Sequence, residues 1–149
     1  MTADVLIDTN VLVYAYDARN RAKQRQALAV LRHLVVAARG KISTQVLGEF
    51  YVTSTRKLNP PLTPMEAAGQ VAALTATWPV VSVTPLVVLE AARGASGHGL
   101  QYWDAQLWAT ARLSQIPTIL SEDFVHGRVL EGIQFVNPFA PSFAPAALD

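Results

Sequence analysis

The chain is expected to fold as an α/β protein, a three-layer α/β/α sandwich around a central, mostly parallel sheet. Two observations lead there. Short apolar or β-branched runs at 5–7, 80–83, 118–121 and 134–136 alternate with stretches of helical periodicity, and such alternation joins parallel strands by crossovers that cover the sheet. Apolar residues make up 51% of 149 residues and charged residues only 15%, enough for one sizeable core and the reverse of a disordered composition.

The elements follow in order. Val5-Leu6-Ile7 is a short buried strand that stops at Asp8-Thr9-Asn10, with a helix expected over 11–16. Residues 21–39 carry Ala27, Leu28, Leu31, Leu34, Val35 and Ala38 at helical spacing, and Gly40 stands where a C′ glycine would close the helix. Ile42-Ser43 reads as a very short strand, and 44–57 as a helix ended by Asn59-Pro60-Pro61. Thr63-Pro64-Met65-Glu66 holds the parts of a capping box and opens a helix over 64–77. After the strand at 80–83, Thr84-Pro85 starts a helix over 86–95; Gly94, Gly97 and Gly99 mark a loop, and 102–113 is helical. The last strands are 118–121 and 134–136. Residues 1–137 are expected to form one domain, and the proline-rich segment 138–149 an extended tail.

A formal net charge of +1 excludes a protein held to nucleic acid by global charge, so any such contact must be local. With no cysteine there are no disulfides, thiolate zinc sites or cysteine nucleophiles. The start lacks the basic region of a signal peptide, and no apolar stretch approaches the roughly 20 residues that span a bilayer. A cytoplasmic protein is expected.

Only 11 side chains are Asp or Glu, so those set among apolar neighbours are informative. Asp8 ends the first strand, and Asp123 follows the strand that closes with Leu120. Both lie at strand carboxyl ends, the edge at which open parallel sheets bind ligands. Glu49 has Val46 and Val52 three residues either side on its helix face. Asp104 lies in line with Leu107, Trp108 and Ala111. Each has an ordinary explanation: an N-cap for Asp8, the helix dipole for Asp104, a turn for Asp123, and for Glu49 a pairing with Arg56 or with a neighbouring helix. Those explanations give no cause for four acids gathering at one sheet edge, where like charges repel unless a cation neutralises them. Oxygen-only ligands select Mg²⁺ or Mn²⁺, and His33, His98 and His126 are too scattered for a zinc site. A hard divalent ion on carboxylates supports phosphodiester hydrolysis.

Read together and in order, Val5-Leu-Ile-Asp8-Thr-Asn-Val-Leu-Val-Tyr-Ala15, Ser43-Thr-Gln-Val-Leu-Gly-Glu49-Phe-Tyr51, Tyr102-Trp-Asp104-Ala-Gln-Leu-Trp-Ala-Thr-Ala111 and Thr118-Ile-Leu-Ser-Glu-Asp123-Phe124 resemble PIN domains. The resemblance is closest to the toxin ribonucleases of VapBC toxin–antitoxin pairs. It implies a metal-dependent ribonuclease in which Asp8, Glu49, Asp104 and Asp123 are both catalytic and metal-binding, supported by Thr9, Asn10 and Ser121. It further implies an RNA substrate, a homodimer and an antitoxin partner. Glu122 beside Asp123 is a second candidate for the fourth ligand; Asp123 holds the family's position two after Ser121. The alternative is a PIN-like module that binds RNA or a partner without cutting.

Phosphotransfer enzymes with an aspartate after the first strand need a late lysine, and the last one here is Lys57. A dinucleotide fold is excluded by glycines in reversed order after a helix. Arg19, Arg21, Lys23, Arg25, Arg56 and Lys57 are candidates for phosphate contacts. Tyr102, Trp103 and Trp108 sit at helical spacing and fit core or dimer packing.

Overall fold

A computed structural model of the protein, described here for residues 3–149, contains six strands and six α-helices, in the order the sequence pattern implies except for one added strand, β5. These are β1 (Val5–Ile7), α1 (Thr9–Tyr14), α2 (Arg21–Ala37), β2 (Gly40–Ser43), α3 (Thr44–Arg56), α4 (Pro64–Thr77) and β3 (Val80–Val81). They are followed by α5 (Pro85–His98), α6 (Tyr102–Leu113), β4 (Thr118–Leu120), β5 (Val129–Leu130) and β6 (Ile133–Val136). The strands form one sheet in the order β3-β2-β1-β4-β6-β5. Every pairing is parallel except β5 with β6. With helices flanking the sheet, the architecture is the expected α/β/α sandwich.

The central strands are apolar on both faces, as strands covered on both sides must be. Leu6, Ile7, Ile42, Ile119, Leu120 and Phe135 are completely buried. From β1 the chain steps outward to β2 and β3, then returns past β1 to β4. The strand order therefore reverses between β1 and β4, where the loops diverge and leave a crevice at the carboxyl edge. Among the described residues, no helix is long and apolar enough to cross a membrane.

The helix starts follow their caps. Thr63 and Glu66 close the reciprocal capping box, and Thr84, Ser43 and Asn20 each accept from a backbone N–H of the first turn. Four expectations are corrected. Helix α1 begins at Thr9 rather than residue 11, because Asp8 itself accepts from the Thr9 N–H and caps it. Gly40 is not the C′ residue of α2; Ala38 takes the left-handed conformation at φ 55°. Gly40 instead opens β2 against Trp78, whose ring would lie 2.3 Å from a Cβ placed there. Gly94 and Gly97 belong to α5, which runs on to His98 and stops at Gly99, φ 66°. Gly94 is needed for packing, since a Cβ would fall 2.6 Å from the Trp108 ring.

The fourth correction concerns the tail. Pro145–Leu148 forms a 3-10 turn, Leu148 is buried, and its carbonyl accepts from the buried Arg39 guanidinium. Phe139 packs edge-on against Tyr14, with ring centroids 4.9 Å apart. The β5–β6 hairpin is an addition. It turns on Glu131 and Gly132, both at positive φ (46° and 84°), as a two-residue turn of this hand requires.

Candidate active site

Two segments meet where the strand order reverses. Asp8 follows β1 and Ser121 follows β4, and the pairing of Ile7 with Leu120 sets the two residues side by side. Ser121 donates from Oγ to Asp8 Oδ2 at 2.7 Å, and the Thr9 N–H donates to Asp8 Oδ1 at 2.7 Å. Asn10 Nδ2 lies among three acceptors, Asp8 Oδ2 at 3.3 Å, Ser121 Oγ at 3.2 Å and Asp123 Oδ2 at 3.2 Å. The Asn10 side chain also accepts from the Glu122 N–H. One amide therefore holds the loops after β1 and β4 together and places the Asp8 and Asp123 carboxylates on either side of itself.

Glu49 arrives from α3. Ser43 ends β2 and caps this helix in consecutive residues, so the helix is launched from the same sheet edge. Glu49 accepts from Thr9 Oγ1 at 3.2 Å and from Gln45 Nε2 at 2.6 Å. It makes no pair with Arg56, and of its two valine neighbours Val46 is buried whereas Val52 is 48% exposed. Glu49 thus sits at the boundary of the buried face. Gln45 also donates to the Trp103 carbonyl and accepts from Gln106 Nε2, tying α3 to the first turn of α6, which carries Asp104. Residues Leu107, Trp108 and Ala111 beneath Asp104 are buried as their spacing predicts.

Asp8, Glu49 and Asp123 line one cleft of about 400 Å³. Asp104 is not among the residues lining that cleft; it is half-buried and close enough to Glu49 and Asp123 for their charges to act on it. The electrostatics are those of crowded carboxylates. Burial pushes the Asp8 carboxyl from 3.8 up to about 7, against the opposing hydrogen bonds of Ser121 and Thr9, with Asp123 and Glu49 adding repulsion. Partial burial, then Asp123 and Glu49, raises that of Asp104. Among the described residues, no three acidic or imidazole side chains stand close enough to cage an ion as placed, an arrangement that mutual repulsion favours. The donor set is entirely oxygen, which suits Mg²⁺ or Mn²⁺.

Glu122 lines the same cleft but has different partners. It takes a hydrogen bond from the Tyr14 hydroxyl at 2.7 Å and pairs with Lys23 Nζ at 2.8 Å. The sequence reading missed Gln45, Gln106 and Tyr14, whose partners lie far away in the chain. The histidines have structural contacts: His33 to Asp149, His98 to Glu131, and His126 Nδ1 accepting from the Asn137 N–H. Trp108 is core, while Trp103 is 56% exposed beside Asp104.

A family model for the PIN domain matches residues 5–130, and the chain belongs to the PIN domain family. Comparison with curated proteins finds no match. Solved structures share the fold at low identity. A toxin–antitoxin complex from Klebsiella pneumoniae is 19% identical, with 91% of this chain and 98% of that one covered and a TM-score of 0.67. FitAB bound to an IR36 DNA fragment is 17% identical, covers 91% and 96%, and also scores 0.67. VapC20 of Mycobacterium tuberculosis, a sarcin–ricin loop cleaving toxin, is 21% identical, covers 78% and 87%, and scores 0.60.

Proposed function

We propose that this PIN domain is a Mg²⁺- or Mn²⁺-dependent ribonuclease, the toxin of a toxin–antitoxin pair, with Asp8, Glu49, Asp104 and Asp123 as its metal-binding and catalytic carboxylates. The observation that carries this reading is the gathering of acids at the strand reversal, with Asp8 buried there at an ionisation cost that a cation would offset. Asn10, Ser121 and Thr9 orient the carboxylate oxygens, and Gln45 holds Glu49 toward the same space. When bound, the ion would supply a more acidic water and a counter-charge for phosphate oxygens. Lys23 and Tyr14 occupy Glu122, which leaves Asp123 as the fourth ligand.

The toxin role is supported by the fold shared with the Klebsiella complex and with VapC20. It brings an antitoxin partner, an RNA substrate and a cytoplasmic setting. We further assign residues 1–137 to the PIN domain and 138–149 to an appended C-terminal segment. A homodimer would cover the exposed apolar residues of α3 and α4, among them Val52 and Met65.

The test is cleavage of RNA by purified protein with Mg²⁺, Mn²⁺ or EDTA. Cleavage that EDTA abolishes and either ion restores is expected. Binding without cleavage under all three conditions would make the protein a non-catalytic module.

A further inference from the structure

The cleft does not end at the carboxylates. It is also lined by Val13, Tyr14, Arg19 and Lys57. Of the cations crowded into residues 19–25, Lys23 is committed to Glu122 and Tyr14, and Arg21 and Arg25 lie outside the cleft. Arg19 is held rigidly. Its Nε and Nη2 donate to Asp17 at 2.9 and 3.0 Å, and Nη2 donates again to the Lys57 carbonyl at 2.8 Å. A guanidinium has five N–H donors, so the two on Nη1 remain without a partner among the described residues. The Lys57 ammonium likewise pairs with no carboxylate among them.

These two side chains offer different things. Asp17 largely offsets the charge of Arg19, which is left with directed, fixed donors. Lys57 brings a net positive charge on a mobile stem. A phosphodiester is an oxyanion that uses both a charge and oriented N–H groups, and Arg19 and Lys57 line the same cleft as the carboxylates. A purely structural tie between the segment after α1 and the end of α3 explains the Asp17–Arg19–Lys57 carbonyl chain. It gives no reason for a residue with a free ammonium and one with a free Nη1 to line the same cleft as the carboxylates.

We propose that Arg19 and Lys57 bind a backbone phosphate of the RNA strand, one flanking the phosphate cut at the carboxylates. The proposal rests on the ribonuclease reading and adds the direction in which the strand leaves the cutting site. Lys57→Gln is the clean variant, because Arg19 is anchored by the Lys57 main chain and not by its side chain. Arg19→Gln is the second, and Arg32→Gln, outside the cleft, is the control.

The experiment measures KM and kcat for cleavage of a single-stranded RNA from 50 to 200 mM salt, and anisotropy of the same labelled RNA in EDTA. One phosphate contact on a single strand contributes a slope of about 0.7 in log affinity against log salt, roughly five-fold at 0.1 M relative to 1 M. Lys57→Gln is therefore expected to raise KM about five-fold at 0.1 M salt and to flatten the slope by about 0.7, with kcat and melting temperature unchanged. Arg19→Gln should shift KM the same way and Arg32→Gln should not. An unaltered KM and slope in Lys57→Gln, or an equal effect of Arg32→Gln, overturns the proposal while leaving the nuclease intact. If the parent binds RNA through Lys57 in EDTA yet cuts none with metal, the nuclease reading fails and the phosphate site stands. No binding and no cleavage overturns both.

Discussion

Replacing Asp8 by asparagine separates what the site costs the fold from what it does for chemistry. The carboxyl titrates near 7 in the fold against 3.8 when unhindered, a difference of about 3 pH units, or about 4 kcal/mol at 1.36 kcal/mol per unit. The sign follows from linkage. A carboxyl whose folded pKa is raised stabilises the fold fully below its unfolded pKa and loses that contribution as pH rises through the folded one. In EDTA the parent should therefore forfeit up to about 4 kcal/mol between pH 4 and 8 through this group alone. Asp8 is only 7% exposed, so solvent screens little of this.

Asparagine does not ionise, but it does not fit freely. Ser121 Oγ already accepts from Asn10 and from the Asp123 N–H, so its proton must point at residue 8. The Thr9 N–H also needs an acceptor there. An amide can meet these donors only in part, at a cost of about 1 kcal/mol or more. Asp8→Asn should thus be slightly less stable than the parent at pH 4 and about 1–3 kcal/mol more stable at pH 8 in EDTA. For a chain of this length that is a rise of roughly 2–10 °C in melting temperature. Urea denaturation of both proteins at pH 4, 6 and 8 in EDTA gives the difference with other titrating groups cancelled. A difference that stays flat across this range would refute the buried-carboxylate argument.

Other outcomes follow from the same geometry. Asp104→Asn should abolish RNA cleavage while leaving the metal-free melting temperature equal or slightly higher, since it removes a half-buried charge that Asp123 and Glu49 repel; undiminished cleavage would take this residue out of the site. Parent protein titrated with Mn²⁺ or Mg²⁺ should gain stability, about 2.7 kcal/mol at a hundred times Kd, and Asp104→Asn less at the same concentration, as differential scanning fluorimetry would register. Gly94→Ala should cost about 1–3 kcal/mol in urea unfolding, because the added methyl meets the buried Trp108 ring at 2.6 Å. Light scattering at micromolar concentration should return twice the monomer mass, and Met65→Glu on α4 should lower it if that face is the contact.

The fold was readable wherever local chemistry fixes an element boundary. Thr63-Pro64-Met65-Glu66 forms its capping box, and α6 occupies 102–113 as its apolar spacing dictates. Reading failed where a distant residue decides. Gly40 and Gly94 look like helix-end and loop glycines until Trp78 and Trp108 are placed over them. The two-residue strand β5 is held by its antiparallel pairing to β6 and leaves no periodicity of its own. In the site, Asp8 and Asp123 were visible because a strand end is a local feature. Gln45 was not: Glu49 lies four residues on along the same helix, but nothing near it in sequence says that its amide will also meet Gln106 and the Trp103 carbonyl.

The neighbouring acids Glu122 and Asp123 show what such distant contacts decide. Adjacent in sequence, they differ in the fold by which cation or amide reaches each first. Glu122 turns toward Tyr14 and Lys23, and Lys23 in turn lies over the Tyr14 ring at 4.7 Å and the Phe139 ring at 5.4 Å. The ammonium is thus held by a carboxylate, a hydroxyl and two aromatic faces, and a charge so placed has little reason to move toward the cleft. Asp123 meets only neutral donors, Asn10 Nδ2 and, through Ser121, its own backbone turn. A carboxylate already neutralised by a lysine gains little from a divalent ion, whereas one beside Asp8 and Asp104 is repelled by both until a cation arrives. Phe139 lies beyond residue 137 in the C-terminal segment, so that segment, by packing on Tyr14 and under the Lys23 ammonium, helps to keep Glu122 in its pairing with Lys23.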